Sequence, residues 1–89
     1  MSHSETITAN LKFLRHSHNY TRQQICNLLG IGVRTWDSYT EGRAVPKLEK
    51  LVSIADYFRI TLDELVRVDL QRCYVVRENK YVKKLIIEQ

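Results

Sequence analysis

The sequence predicts an all-α domain of five short helices followed by a C-terminal extension. Three observations carry that expectation. Capping-box pairs recur, with Thr21 three residues before Gln24 and Thr61 three before Glu64. Apolar residues fall at helical spacing between such starts. Asn19, Gly30 and Gly42 interrupt the pattern at positions where a left-handed backbone is least strained.

The elements follow in order. Thr6 or Ser4 is the expected cap of the first helix, whose Ile7, Leu11 and Leu14 share one face. Asn19 ends it. Thr21 opens the second helix, which carries Ile25, Leu28 and Leu29 and stops at Gly30. The third segment, residues 33–39, sets Trp36 and Tyr39 three apart on one inward face, and Gly42 closes it. Pro46 stands where a fourth helix can begin, with Leu48, Leu51, Val52, Ala55 and Phe58 as its apolar stripe. Thr61 and Glu64 then open a short fifth helix with Leu62 and Leu65. The expected organisation is a helical domain over residues 1–67 and an extension over 68–89, a segment rich in β-branched and aromatic residues. Cys73, Tyr74, Val75 and Val76 read as a strand. Residues 77–80 suit a turn. Residues 81–87 read either as a returning strand or as a helix capped by Asn79, with β favoured by the Val, Ile and Tyr content.

Composition narrows the function. The 89 residues suit one small domain, whose thin core leaves little room for a rigid catalytic cleft. The net charge of +4 favours an anionic partner. That charge is unevenly placed, since residues 1–66 hold eight Lys/Arg against seven Asp/Glu and residues 67–89 hold six against three. Cys26 and Cys73 have no partner spacing, which argues against a zinc or redox motif and for reduced, packed thiols. No metal and no cofactor is expected. His16 and His18 are two apart, which on a helix turns them to different faces, so both are read as solvent-facing residues near a helix end. His3 is expected in a frayed end. The N-terminal residues lack a signal-peptide pattern, and no apolar run approaches the ~20 residues a membrane helix needs. The expected compartment is the cytoplasm. No Ser/His/Asp grouping or glycine-rich phosphate loop is present in the sequence, so an enzyme is not expected.

Residues 21–39 resemble the helix-turn-helix of the lambda-repressor-like family, also called the Cro or XRE family. Cys26 is the small residue where the two helices cross, and Gly30 is the glycine of the turn. Ile25, Leu29, Ile31, Trp36 and Tyr39 are the apolar wedge. The likeness extends outward through Asn10, Leu11 and Arg15, through Gly42, Arg43 and Pro46, and through residues 51–65, covering about two thirds of the chain. It implies a five-helix lambda-repressor-like domain that binds double-stranded DNA as a homodimer.

The resemblance also implies roles. A pinned helix can enter the major groove, where its exposed side chains meet base edges. Val33, Arg34, Asp37 and Ser38 are the expected base readers, with Arg34 suited to guanine and Asp37 to cytosine. Thr21, Arg22 and Gln23 at the start of the second helix, with Arg43 beyond the third, are the expected phosphate contacts. The family usually has Glu at the position of Thr40, paired with the arginine matching Arg15; here that partner is missing. Glu41 near the backbone needs a cation, and Arg43 is the expected one. Cys73, Val75, Leu85 and Ile87 are the expected dimer contact. The alternative is a protein-interaction module, or an antitoxin-like partner, that keeps the fold with little DNA binding.

Overall fold

The computed structural model describes residues 2–77 and 80–83. In chain order the elements are α1 (His3–Ser17), α2 (Arg22–Leu29), α3 (Val33–Thr40), α4 (Leu48–Phe58), α5 (Leu62–Arg67), α6 (Leu70–Cys73), β1 (Tyr74–Arg77) and β2 (Lys80–Lys83). The helical part is the expected all-α domain. Where the extension is described, β1 and β2 pair antiparallel with Val75 opposite Val82, Cys73 ends the helical turn α6 rather than starting the strand, and residues 84–87 of the expected return lie outside the described residues.

Local chemistry explains most helix ends. Thr21 Oγ1 accepts from the Gln24 amide at 3.1 Å while Gln24 Oε1 accepts from the Thr21 amide at 2.7 Å. Thr61 and Glu64 repeat the arrangement. Gly30 ends α2 at φ 67°, and Asn19 takes φ 58° after α1. The start of α1 differs from expectation. Its cap is Ser2, whose hydroxyl accepts from the Glu5 amide while Glu5 Oε1 accepts from the Ser2 amide. That reciprocal pair lets the helix begin before its first buried residues, so neither Ser4 nor Thr6 caps it and His3 is its first residue.

The core joins α1, α2, α4 and α5, with Leu11, Leu14, Ile25, Ile54 and Leu65 fully buried. Trp36 is 3% exposed and brings α3 onto that core. Three residues of the expected stripes lie outside it: Leu28, Leu48 and Val52 are exposed. The inward face of α4 is instead Leu51, Ile54, Ala55 and Phe58.

A polar tie closes the fold. Asn10 on α1 is 1% exposed. Its Nδ2 donates to the carbonyls of Leu65 and Val68, both at 2.7 Å, and its Oδ1 accepts from the Leu70 amide at 3.1 Å. Leu70 itself is fully buried. The compact unit therefore runs past Arg67 to Leu70, which anchors the helical turn α6 that leads into the hairpin.

His18 is a second correction. It is half-buried rather than solvent-facing, stacked on Tyr20 with ring centroids 5.4 Å apart and tilted against Phe58 at 5.2 Å. Its Nδ1 lies 3.2 Å from the Leu14 carbonyl. His16, by contrast, is exposed. Among the described residues no helix is long and apolar enough to cross a membrane.

Candidate nucleic-acid interface

Helices α2 and α3 form a helix-turn-helix, and the turn is built by backbone bonds. The Ile31 amide donates to the Cys26 carbonyl at 3.0 Å, and left-handed Gly30 makes that reversal possible. Cys26 is fully buried at the crossing, with its Sγ 3.9 Å from the Gly32 carbonyl. Burial pushes its thiol pKa up, the Asp37 charge adds to the rise, and Arg22 opposes it. A small, neutral side chain is thereby kept where two helices approach.

Three further contacts hold α3 in place. Trp36 wedges it onto the core. Thr8 Oγ1 on α1 donates to the Tyr39 carbonyl at 3.0 Å. Beyond α3 the amides of Arg43 and Ala44 both donate to the Ser38 carbonyl, with Gly42 at φ 78° between helix and loop. Lys50 of α4 donates to the Leu29 carbonyl at 3.0 Å, placing a cation at the negative end of α2.

On the outward side of α3, Arg34 and Thr35 are exposed while Asp37 and Ser38 are half-buried. Val33 is half-buried against the core, so it presents less surface than its helical position suggested. Thr35 escaped the sequence reading. Periodicity sets it toward the Trp36 side, but it borders an open groove of about 630 Å³ shared with Ser38, Ala44 and Lys47. At the start of α2, Thr21, Arg22 and Gln23 are exposed, and Gln23 Nε2 donates to Asn27 Oδ1 at 2.9 Å. Cys73 and Val75 lie at the end of α6 and in β1, and Leu85 and Ile87 lie outside the described residues.

Charge pairing decides how acidic residues are tolerated on this face. Arg22 Nε lies 3.4 Å from Asp37 Oδ1, across the two helices. Arg43 Nη1 lies 3.0 Å from Glu41 Oε1. Both pairs are solvent-accessible and worth only about 0.2–1 kcal/mol each, so an incoming phosphate can displace either carboxylate. Arg15 is different. Its Nε is buried and has no hydrogen-bond partner among the described residues, and its Nη1 lies 3.2 Å from His16 Nε2. Thr40 is not bonded to that Nε; its hydroxyl donates back to the Trp36 carbonyl at 3.1 Å. A buried donor left unpaired costs about 1–3 kcal/mol.

The chain is 39% identical over 59 residues to the HTH-type transcriptional regulator AnsR of Bacillus subtilis (strain 168), covering 66% of this chain and 51% of that protein. It is 37% identical over 51 residues to the cryptic phage CTXphi transcriptional repressor RstR of Vibrio cholerae O1, covering 57% of this chain and 46% of RstR. A crystal structure of a transcriptional regulator from Listeria innocua matches with a TM-score of 0.63 and 38% identity, over 67% of this chain and 56% of that one. The relatives this chain matches are transcriptional regulators, AnsR being of the helix-turn-helix type. The chain spans about half the length of the curated relatives it matches. No family model matches it.

Proposed function

We propose that this chain is a sequence-specific, DNA-binding transcriptional repressor of the Cro/XRE type, acting in the cytoplasm as a homodimer. The observation that carries the reading is the pose of α3. Buried Trp36 and the Thr8–Tyr39 bond fix the helix, while Arg34 stands exposed on its outer side. The likeness to AnsR and RstR supports the same function. In this reading Arg34, with Val33, Asp37 and Ser38, meets base edges. Thr21, Arg22, Gln23 and Arg43 meet phosphates. A single reading helix contacts few base pairs, so two copies are needed, with half-sites about 34 Å apart. The hairpin and the residues after it, with Cys73, Val75, Leu85 and Ile87, are the proposed contact between copies.

Selection of genomic fragments by the purified protein, followed by anisotropy titrations across salt, tests this. Log K falls with log salt by about 0.9 per phosphate contact. Arg22→Ala weakens all duplexes alike and flattens that slope. Arg34→Ala costs about 1–3 kcal/mol on the selected site and relaxes preference at one base pair. Equal loss on selected and random duplex would place Arg34 on phosphate instead. Sedimentation velocity of Leu85→Asp and Ile87→Asp tests the dimer contact, which fails if both variants associate as the wild type does.

A protein-interaction module is the second reading. It is favoured by the Arg22–Asp37 and Arg43–Glu41 pairs, which neutralise two of the proposed phosphate contacts in the free chain. Absence of duplex binding even at low salt would select it.

A further inference from the structure

We propose that the concavity between α1 and the α2–α3 pair is a phosphate-binding site with Arg15 as its central donor. It is lined by Lys12, Arg15 and His16 of α1, Arg22 of α2, and Asp37 and Thr40 of α3. Three cations face one carboxylate, a net +2 with His16 neutral, in a chain whose first 66 residues are otherwise nearly balanced. The carboxylate is already matched by Arg22 at 3.4 Å. Lys12 and Arg15 have no carboxylate of their own in the concavity.

Arg15 points to the ligand class. Its buried Nε has no acceptor among the described residues, so the guanidinium that borders the concavity keeps one donor unmet. Thr40, which lines the same concavity, is not bonded to that Nε; its hydroxyl donates to the Trp36 carbonyl. A guanidinium fork suits the tetrahedral oxygens of phosphate, and Lys12 and Arg22 approach the same space from separate helices. The concavity holds about 210 Å³, several times the ~30 Å³ that one water occupies in the liquid. One phosphate group with part of its hydration shell fits. The phosphate comes either from solution or from a duplex backbone passing Arg22. The site does not depend on the DNA reading, because the first source needs no duplex.

The test follows the Arg15 Nε–Hε resonance in the full chain during titration with inorganic phosphate, against chloride at matched ionic strength. A saturable, phosphate-specific shift is expected. Arg15→Met weakens that binding by roughly 10- to 100-fold, the range for a charge-assisted bond, and Lys47→Met leaves it unchanged. If Arg15→Met also lowers the salt slope on random duplex by about 0.9, and duplex competes with inorganic phosphate, the backbone is the source. Phosphate binding that depends on Arg15 with duplex binding unaltered makes free phosphate the source. Saturable phosphate binding in a chain that binds no duplex keeps this site and removes the DNA reading. Should Arg15→Met fail to fold, the wild-type titration decides alone. A resonance that phosphate moves no more than chloride does overturns the proposal.

Discussion

Asn10→Ala is the most informative perturbation of the scaffold that presents α3. The side chain makes three short bonds: Nδ2 to the carbonyls of Leu65 and Val68, and Oδ1 from the Leu70 amide. Each is worth about 0.5–1.5 kcal/mol net, and truncation leaves the buried Leu70 amide unpaired, adding about 1–3 kcal/mol. Allowing for overlap between these terms, the expected loss is about 3–5 kcal/mol. A chain this size has roughly 4–13 kcal/mol in total, at ~0.05–0.15 kcal/mol per residue. The midpoint of thermal unfolding therefore falls by about 12–40 °C, at ~4–8 °C per kcal/mol. Urea unfolding followed by Trp36 fluorescence measures it, since Trp36 is the single tryptophan and is buried. Asn10→Asp separates donor from acceptor. It keeps the acceptor for Leu70 but sets a carboxylate against two carbonyls, so it destabilises at neutral pH and recovers partly in acid, when a protonated oxygen donates again. A loss under about 1 kcal/mol for Asn10→Ala would show that water replaces the tie and would refute the account.

Three further outcomes follow from the site. Asp37→Asn releases Arg22 from its 3.4 Å partner, so random-duplex binding tightens by about 1.4- to 5-fold, equivalent to ~0.2–1 kcal/mol; unchanged or weaker binding in anisotropy titrations counts against Arg22 as a phosphate contact. Gly30→Ala meets no atom within 4 Å but must hold φ 67°, so it costs about 1–2 kcal/mol in denaturant unfolding, and no loss would mean the turn relaxes. Burial raises the Cys26 pKa above its unfolded value of about 8.5, so the folded chain keeps a proton the unfolded chain has lost. Its contribution is complete below that pH and is lost as pH rises beyond it; Cys26→Ala removes this part of the alkaline slope, and identical slopes for variant and wild type would contradict it.

Much of this protein is local and is therefore written in the chain. The two boxes at Thr21 and Thr61 close over three residues, and Gly30 reverses the backbone without help from distant elements. Trp36 and Tyr39 declare their inward side by spacing alone. Ser2 with Glu5 was equally local, yet it precedes the apolar run and so gave no signal beside it. The Arg43–Glu41 pair was legible because only Gly42 separates them. Other features depend on what lies across the fold. Asn10 meets partners 55–60 residues away, so nothing near it in the chain marks it as a tie. Leu28, Leu48 and Val52 match helical stripes, but burial requires a neighbour on that flank, and among the described residues all three stay exposed. Arg22 reaches Asp37 only because α2 and α3 converge, whereas the missing partner of Arg15 was legible at Thr40 and only the burial of its Nε needed the fold. Capping and turn chemistry are decided within a few bonds, whereas pairing of charges and burial of faces are decided by which helices meet, a property of the assembled core.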